Sequence, residues 1–273
     1  YLLGRAHLNK APTAANYARS REYFERAIAR DPGYAPAYVG LADTEMRAMG
    51  TPTPSAAQIR VKARQWIEKA LELDDTVAEA HSTLARIAQQ EWDWAGAERE
   101  YRRAIELNAS YARARIGYTL LLLAMQRFDE AAAQARRAQE LDPASPFVNT
   151  WAGSAYWFAG RGDEATASWT KALELDAAFS NASLVIGRAH VTQGNYPQAI
   201  AALRQGLSFN GRQVFLLGAL AHAHARAGQR AEALKVLGEL RRVEAEERGY
   251  VPLFGSIWAY AGLGDMDAAR NYL

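Results

Sequence analysis

The stretch EWDWAGAEREYRRAIELN, residues 91–108, recurs in altered form along the chain, and its spacing indicates the fold. The alanine that follows its glycine belongs to a series with a constant step of 34 residues: Ala63, Ala97, Ala131, Ala165, Ala199 and Ala233. Two further columns of small residues keep this step: Ala85, Thr119, Gly153, Gly187 and Ala221, and Ala70, Ala104, Ala138, Ala172 and Gly206. Small residues at one fixed period predict repeated helix pairs whose axes approach closely.

The segments between these columns match one another in type. Five read as the first helix of a pair: YVGLADTEM (38–46), HSTLARIAQ (81–89), NTWAGSAYW (149–157), SLVIGRAHV (183–191) and LGALAHAHA (217–225). Four read as the second helix: AEREYRRAIELN, AAAQARRAQELDP, ATASWTKALELDA and AIAALRQGLSFN. The chain therefore resembles the tetratricopeptide repeat family over nearly all of its length. This resemblance implies an all-α fold, a right-handed α-solenoid superhelix of stacked antiparallel helix pairs.

We expect a single array over residues 1–273, with these approximate repeats: 1–32, 33–75, 76–109, 110–143, 144–177, 178–211, 212–247 and a partial repeat 248–273. Extra residues interrupt the period near NKAPTAAN, GTPTPSAAQ and RRVEAEERGY. At the second of these, Thr53 and Pro54 predict the capped start of a lengthened second helix. Glycines that end first helices predict left-handed turns at Gly50, Gly160, Gly194, Gly228 and Gly264.

Composition narrows the classes of function. Thirty-two basic against thirty acidic residues give a net charge of +2, so no nucleic-acid partner is expected. The longest strongly apolar run, residues 116–125, is about half of the roughly 20 residues that a membrane-spanning helix needs, so no span is predicted. The absence of cysteine leaves the compartment open, with the cytoplasm favoured. The chain starts without methionine or a signal-type segment, so we expect a part of a longer protein.

No catalytic, cofactor or metal site is predicted. His222 and His224 point roughly 200 degrees apart on a helix and cannot share one metal ion. His7, His190 and His224 fall in a column that usually holds a packing residue. No phosphate loop follows a strand, and no serine stands in a nucleophile elbow. The sequence thus predicts a protein that is not an enzyme and needs no cofactor.

The two tryptophans of the opening stretch, Trp92 and Trp94, fall in the turn between two paired helices. Trp94 occupies the column of Phe128 and Tyr196. Because aromatic side chains are chiefly core material, we interpret the two rings as packing residues rather than as a stacking platform for bases.

The resemblance implies that first helices line a concave groove, along which extended peptides or partner helices lie. The candidate partner-binding residues in these columns are Arg86, Leu120, Phe147, Trp151, Trp157, Phe158, Arg188, His222, Arg226 and Trp258. Further residues of the predicted groove include Asp43, Met46, Arg47, Ile116, Ser154, Leu184 and Phe215. Phe147, Trp151 and Phe158 share one helix face, which predicts an aromatic patch. The alternative is that these rings pack against neighbouring first helices.

Arginines in the groove suggest an acidic ligand. Arg86, Arg188 and Arg226 could hold a carboxylate or an acidic side chain, or could simply stay solvated. The co-chaperone type of repeat domain clamps a C-terminal carboxylate with lysine and asparagine at set positions. Those columns here hold Val39, Asp43, Arg47, Ser82, Arg86 and Gln90, so the clamp is not reproduced.

A narrower resemblance concerns YLLGRAHLNK, YFERAIARDPGYAPAYVGLAD and WDWAGAEREYRRAIELN. Together they are similar to the C-terminal repeat regions of bacterial winged-helix regulators and of related kinase or adenylate cyclase proteins. The resemblance implies a protein- or peptide-binding scaffold within a larger signalling or regulatory protein. Two alternatives stay open: a nucleic-acid-binding helical repeat, and a self-association platform that forms a homo-oligomer through the C-terminal repeat.

Overall fold

The computed structural model describes residues 1–8, 14–47, 56–211, 213–246 and 254–272. Within these ranges the chain forms sixteen helices and no strand. In chain order they are α1 (Leu2–Leu8), α2 (Ala14–Arg30), α3 (Ala35–Arg47), α4 (Ala56–Leu73), α5 (Ala78–Gln90), α6 (Trp94–Leu107), α7 (Ala112–Ala124), α8 (Phe128–Leu141), α9 (Pro146–Phe158), α10 (Gly162–Leu175), α11 (Ser180–Thr192), α12 (Tyr196–Asn210), α13 (Val214–Arg226), α14 (Arg230–Glu246), α15 (Phe254–Leu263) and α16 (Met266–Arg270).

Each odd-numbered helix packs against the even-numbered helix that follows it, so the described residues form eight helix pairs. Within each unit, successive pairs stack through their first helices, as α3 does on α5 and α11 does on α13. The predicted all-α fold is confirmed. The chain divides into two compact units, residues 1–142 (the first unit) and 143–273 (the second unit), and each is described by itself. The single array over the whole chain stays a prediction.

The alanine series explains why the helices of a pair lie so close together. Every member, from Ala63 to Ala233, is fully buried. In the second column of small residues, a Cβ added at Gly153 would lie 2.4 Å from Nε1 of Trp169, and one at Gly187 would lie 2.5 Å from Cγ of Leu203. The absence of a side chain on the first helix thus makes room for a large residue on the second. The close helix contacts predicted from the small columns are confirmed at these positions.

The turns inside the pairs use a left-handed backbone. Gly160, Gly194, Gly228 and Gly264 have φ between 74° and 78°, as predicted; Gly50 lies outside the described residues. In the turn at Gly160 the amide of Arg161 donates to the carbonyl of Tyr156 at 2.8 Å, which satisfies a carbonyl at the helix end.

The interruptions of the period coincide with helix ends, since residues 14–16, 56–58 and 241–246 of these segments belong to α2, α4 and α14. α4 has 18 residues, against 14 in α6 and α8, so the predicted lengthening of this second helix is confirmed. Its predicted cap, Thr53 and Pro54, lies outside the described residues. Parts of the other two insertions, residues 9–13 and 247–250, also lie outside them.

Trp92 departs from the other turn residues. Trp92 stands at the repeat column of Gly160 and has a φ of 65°. Gln126 stands at the same column and has a φ of 59°. Its ring contacts Trp94 edge-on at 5.3 Å between centroids. Trp92 is nevertheless 75% exposed, whereas Trp94 is half-buried. The prediction that both rings are packing residues is therefore wrong for Trp92, since the turn directs its side chain into solvent.

Candidate partner-binding surfaces

Side chains from three first helices of the second unit meet around one tryptophan. Arg188 of α11 places its guanidinium carbon 4.5 Å from the centroid of Trp258 on α15. Phe215 of α13 lies 6.2 Å from the same residue, measured between ring centroids. His222 of α13 is joined to the carbonyl oxygen of Trp258 at 2.9 Å from Nδ1. We name Arg188, Phe215, His222 and Trp258 the Trp258 cluster.

Glycines bring α13 and α15 close enough for these contacts. A Cβ added at Gly218 would lie 2.3 Å from the Cα of Gly255, so the two backbones touch. A Cβ at Gly262 would lie 2.9 Å from Nδ1 of His222. The carbonyl of Trp258 can only accept, so Nδ1 of His222 carries the proton and Nε2 is the acceptor of the neutral ring.

The Trp258 cluster is open to solvent and positively charged. Phe215 is 37% exposed, Arg188 is exposed, and Trp258 and His222 are half-buried. Burial lowers the pKa of His222, and the positive charges of Arg226 and Arg188 lower it further, while the bond to Trp258 opposes them. Partial desolvation of its guanidinium group, which the exposed part of the side chain does not prevent, also lowers the pKa of Arg188. At neutral pH the cluster therefore combines a neutral imidazole with the positive charge of Arg188.

The aromatic side chains of α9 point in two directions. Phe147 and Trp151 meet edge-on with centroids 6.5 Å apart. Nε1 of Trp151 is buried and has no hydrogen-bond partner among the described residues. Trp157 instead packs on Trp169 of α10, with centroids 5.8 Å apart. Phe158, at the end of the helix, is 56% exposed. Packing within the helix pair accounts for Trp157, whereas Phe158 presents a ring to solvent.

Arginines gather around one buried carboxylate in the first unit. Asp43 of α3 accepts from Arg86 of α5 at 2.8 Å, from Thr83 at 3.0 Å and from Arg5 of α1 at 3.4 Å. Burial by itself raises the pKa of Asp43, but Arg86, Arg47, Arg5 and the Thr83 hydroxyl together hold it below its ordinary value. The carboxylate is therefore ionised. We name Arg5, Asp43, Thr83 and Arg86 the Asp43 cluster.

The structure excludes some predicted groove residues from direct contact with a ligand. Ile116 is fully buried, and Asp43, Met46 and Ser154 are at most 7% exposed. They are wrong as ligand contacts because their helix neighbours cover them. Leu120 is half-buried and Arg226 is exposed, so both can still face a ligand.

The histidines behave as packing residues where the repeat pattern places them. His7 stacks on Tyr23 at 5.5 Å between centroids. His224 is 1% exposed and bonds Gln229 from Nδ1 at 2.6 Å. His222 instead bonds the carbonyl of Trp258 on α15, so the two histidines have different partners. Within the described ranges no group of three or more His, Asp or Glu side chains could hold a metal ion. Among the helices given above, none is both long and apolar enough to cross a membrane.

Sequence comparison supports the tetratricopeptide repeat family. The family model of this repeat matches residues 82–146 and 152–211. These ranges run from α5 to α12 and include both helix types of the pattern. A comparison with curated proteins gives no match. The comparisons do not confirm the narrower resemblance to winged-helix regulators, which stays a prediction.

Solved structures with the same kind of fold include two proteins of similar size. PilF of Pseudomonas aeruginosa has a TM-score of 0.58 and 22% identity, over 79% of this chain and 93% of that one. PilW, a type IV pilus biogenesis factor, has a TM-score of 0.62 and 21% identity, over 76% of this chain and 92% of that one. A chain of the APC/C hetero-tetramer Cut9–Hcn1 has a TM-score of 0.67 and 16% identity, over 91% of this chain and 48% of that one. These likenesses show the fold alone, a solenoid of tetratricopeptide type.

Proposed function

Because the helix pairs and the matched segments are those of tetratricopeptide repeats, we propose that this chain is a non-catalytic scaffold that binds a segment of a partner protein. The observation that carries the proposal is the Trp258 cluster. Three first helices converge there on an aromatic surface that is left partly open, with an arginine held against it. Tryptophan and arginine are the residues most enriched among those that dominate binding energy in protein interfaces.

The geometry of the cluster supports binding over mere packing. A tryptophan that served only the core would be covered, as Trp169 is at 5% exposure. The cation–π contact between Arg188 and Trp258 contributes about 0.5–1 kcal/mol at an exposed site and holds the guanidinium in place. A side chain that is already fixed loses less entropy when a ligand binds. The surface is therefore preorganised for a partner.

The other predicted contacts extend this proposal along the first helices. In the second unit we propose Phe147, Trp151 and Phe158 of α9 and Arg226 of α13 as further contacts. Arg86 and Leu120 are the proposed contacts in the first unit. Trp157 keeps this role only as a prediction, because Trp169 already occupies one side of its ring.

Affinity capture from the native host, followed by calorimetry with the purified partner, tests the proposal. We expect Trp258→Ala to weaken binding by about tenfold or more, as expected for an interface residue of this type. Phe209→Ala is the matched control, because Phe209 is 54% exposed but lies on the second helix α12. Equal loss with both variants, or no loss with Trp258→Ala in a folded protein, would contradict the proposal.

We also propose that the scaffold belongs to a larger bacterial signalling or regulatory protein. The support is the resemblance of YLLGRAHLNK and the two longer segments to repeat regions of winged-helix regulators and related kinase or cyclase proteins. Reading the coding sequence on either side of this chain tests the idea. A DNA-binding, kinase or cyclase domain in the same protein is the expected result. Flanking sequence that encodes only more repeats would contradict it.

A further inference from the structure

His222 uses one ring nitrogen within the fold and leaves the other open. Its Nδ1 donates to the carbonyl oxygen of Trp258 on α15 at 2.9 Å. Among the described residues Nε2 has no hydrogen-bond partner, yet it is not closed off from solvent as Nδ1 of His7 and Nδ1 of His190 are. Because Nδ1 holds the proton of the neutral ring, Nε2 can only accept. The Trp258 cluster therefore contains an accessible acceptor that no described residue uses.

The ring stays neutral at physiological pH. Burial and the positive charges of Arg226 and Arg188 lower the pKa of His222, although the bond to Trp258 opposes them. Arg226 acts from the same helix and Arg188 from α11, while α15 supplies the Trp258 carbonyl. Among the described residues, neither α12 nor α14, which also pack on α13, supplies a charge that acts on the ring. At neutral pH the lone pair of Nε2 is therefore free to accept.

Aromatic rings flank this acceptor. Phe215, His222 and Arg226 lie on one face of α13, at i, i+7 and i+11. Phe215 is exposed, and its ring centroid is 6.2 Å from that of Trp258. Phe254, four residues before Trp258 on α15, is exposed as well. A ligand group that bonds Nε2 therefore meets aromatic surface beside it.

The chemistry of this surface selects among the side chains of a partner. A fitting side chain must donate to Nε2, accept from an arginine and cover aromatic surface. Ionised Asp and Glu can only accept, and Lys and Arg are repelled by the charges of Arg188 and Arg226. The indole of Trp donates but cannot accept, and Ser and Thr have a hydroxyl without a ring. Tyrosine meets all three requirements, since its hydroxyl both donates and accepts and its ring is apolar.

We propose that the Trp258 cluster recognises a tyrosine of the partner protein, whose hydroxyl donates to Nε2 of His222 and whose ring packs against Phe215 and Trp258. Arg188 supplies the donor for the hydroxyl oxygen. This inference rests on the proposed function, because it names the side chain that the same surface binds. His222 is then the residue that discriminates tyrosine from phenylalanine.

Three small probes test the proposal by NMR on the intact chain: the N-acetyl amides of tyrosine, of phenylalanine and of O-methyltyrosine. The indole N–H resonance of Trp258, identified by its absence in Trp258→Phe, follows each titration. We expect the tyrosine probe to bind about fivefold more tightly than the other two, because one hydrogen bond of ordinary strength gives a preference of this order. O-methyltyrosine keeps the oxygen as an acceptor but cannot donate, so it isolates the bond to Nε2.

The same spectra contain an internal control. Trp92 belongs to the first unit and is 75% exposed, so it reports any binding to exposed tryptophan in general. Its indole N–H should not shift with any of the three probes. The control is matched because the two indoles are compared in one sample.

Acid separates this role of His222 from a packing role. Protonation turns Nε2 into a donor, so the preference for tyrosine should vanish as the ring titrates, which its carbon-bound protons report. The phenylalanine probe should bind about equally before and after this titration. His222→Phe keeps a ring in place and should abolish the preference at neutral pH. Should this variant unfold, the titration of the unaltered chain still decides.

Several outcomes would overturn the proposal. Equal binding of tyrosine and phenylalanine, or of tyrosine and O-methyltyrosine, would do so, as would a preference that survives the protonation of His222. No shift of the Trp258 indole with the tyrosine probe, or an equal shift of the Trp92 indole, would also do so. If Trp258→Ala removes capture of the native partner while the probes show no preference, the recognition of tyrosine alone is wrong and the proposed scaffold function stands.

Discussion

Arg188 of α11 lies over the indole of Trp258 of α15, with its guanidinium carbon 4.5 Å from the ring centroid. The two residues are seventy positions apart in the chain. They meet because α13 packs against both helices and because Gly218 and Gly255 let α13 and α15 touch. The contact fixes a cation beside an aromatic surface that is only half covered. This pairing of charge and ring is the basis of the proposed partner site.

Replacement of Arg188 separates binding from stability. We expect Arg188→Gln to weaken partner binding by about tenfold, because the ligand loses a preorganised cation. The free energy of unfolding should change by no more than about 0.5 kcal/mol, as is usual for an exposed side chain. Calorimetry with the purified partner and urea unfolding give the two numbers. A large loss of stability with unchanged affinity would show that Arg188 serves the fold instead.

His222 should make the second unit sensitive to acid. Its folded pKa lies below the ordinary 6.5 because of burial and because of the positive charges of Arg226 on α13 and Arg188 on α11. The hydrogen bond to the Trp258 carbonyl on α15 opposes this lowering. The unfolded chain therefore binds the proton more readily. Stability should fall as the pH drops through 6.5 toward the folded pKa. His222→Gln, whose amide can still donate to Trp258, should reduce this slope in melting curves between pH 7.5 and about 5.5. An unchanged slope would contradict the assignment.

His81 predicts the opposite dependence in the first unit. Its Nδ1 is 2.7 Å from Glu100, and this hydrogen bond raises the pKa of the histidine above 6.5 against the effect of burial. The stabilisation is fully present below pH 6.5 and is lost as the pH rises through the folded pKa. His81→Gln should therefore lower the free energy of unfolding at about pH 5.5 and lower it much less at about pH 8, which lie on either side of the titration. A constant cost at both values would show that packing dominates.

The sequence predicts most of the fold because the fold is periodic. Each alanine of the main series is fully buried, so a step of 34 residues predicts the spacing of the buried positions directly. The turn glycines follow from the same period, since Gly160 and Gly194 need the same left-handed backbone. The local pattern cannot predict how first helices of different pairs meet. The contacts of Arg188 with Trp258 and of Asp43 with Arg86 depend on that stacking.

The candidate site was predictable only in part. Helix phase places Phe147, Trp151 and Phe158 on one face, but it does not show that Trp157 turns to Trp169. Exposure also depends on neighbours: Ile116 falls in a groove column and is fully buried. A signal for the Asp43 cluster was present in the sequence, since an aspartate and arginines occupy facing columns of successive first helices. The columns alone do not predict that Asp43 accepts from both Arg86 and Arg5, because that depends on how the pairs stack.

Gly153 should tolerate no side chain. An alanine there would bring its Cβ to within 2.4 Å of Nε1 of Trp169, whose N–H donates to the carbonyl of Thr150 at 3.1 Å. We expect Gly153→Ala to reduce the free energy of unfolding by about 1–3 kcal/mol through overpacking. The control is Gly238→Ala in α14, where no atom of the described residues lies within 4 Å of the added Cβ. It should stabilise by about 0.5–1 kcal/mol through helix propensity. Similar effects of both changes in urea unfolding would contradict the packing assigned to Trp169.

Trp92 tests whether the left-handed turn carries strain. Its φ of 65° is in the region that glycine adopts freely and that costs other residues roughly 1–2 kcal/mol. Trp92→Gly and Trp92→Ala both remove the ring and its contact with Trp94, so their difference reports the backbone alone. We expect the glycine variant to be more stable than the alanine variant by about 1 kcal/mol in urea unfolding. Gly160→Ala, at the same column with φ of 74°, should show a loss of similar size. If the variant with alanine at position 92 were as stable as the variant with glycine, the backbone of this turn would not be strained.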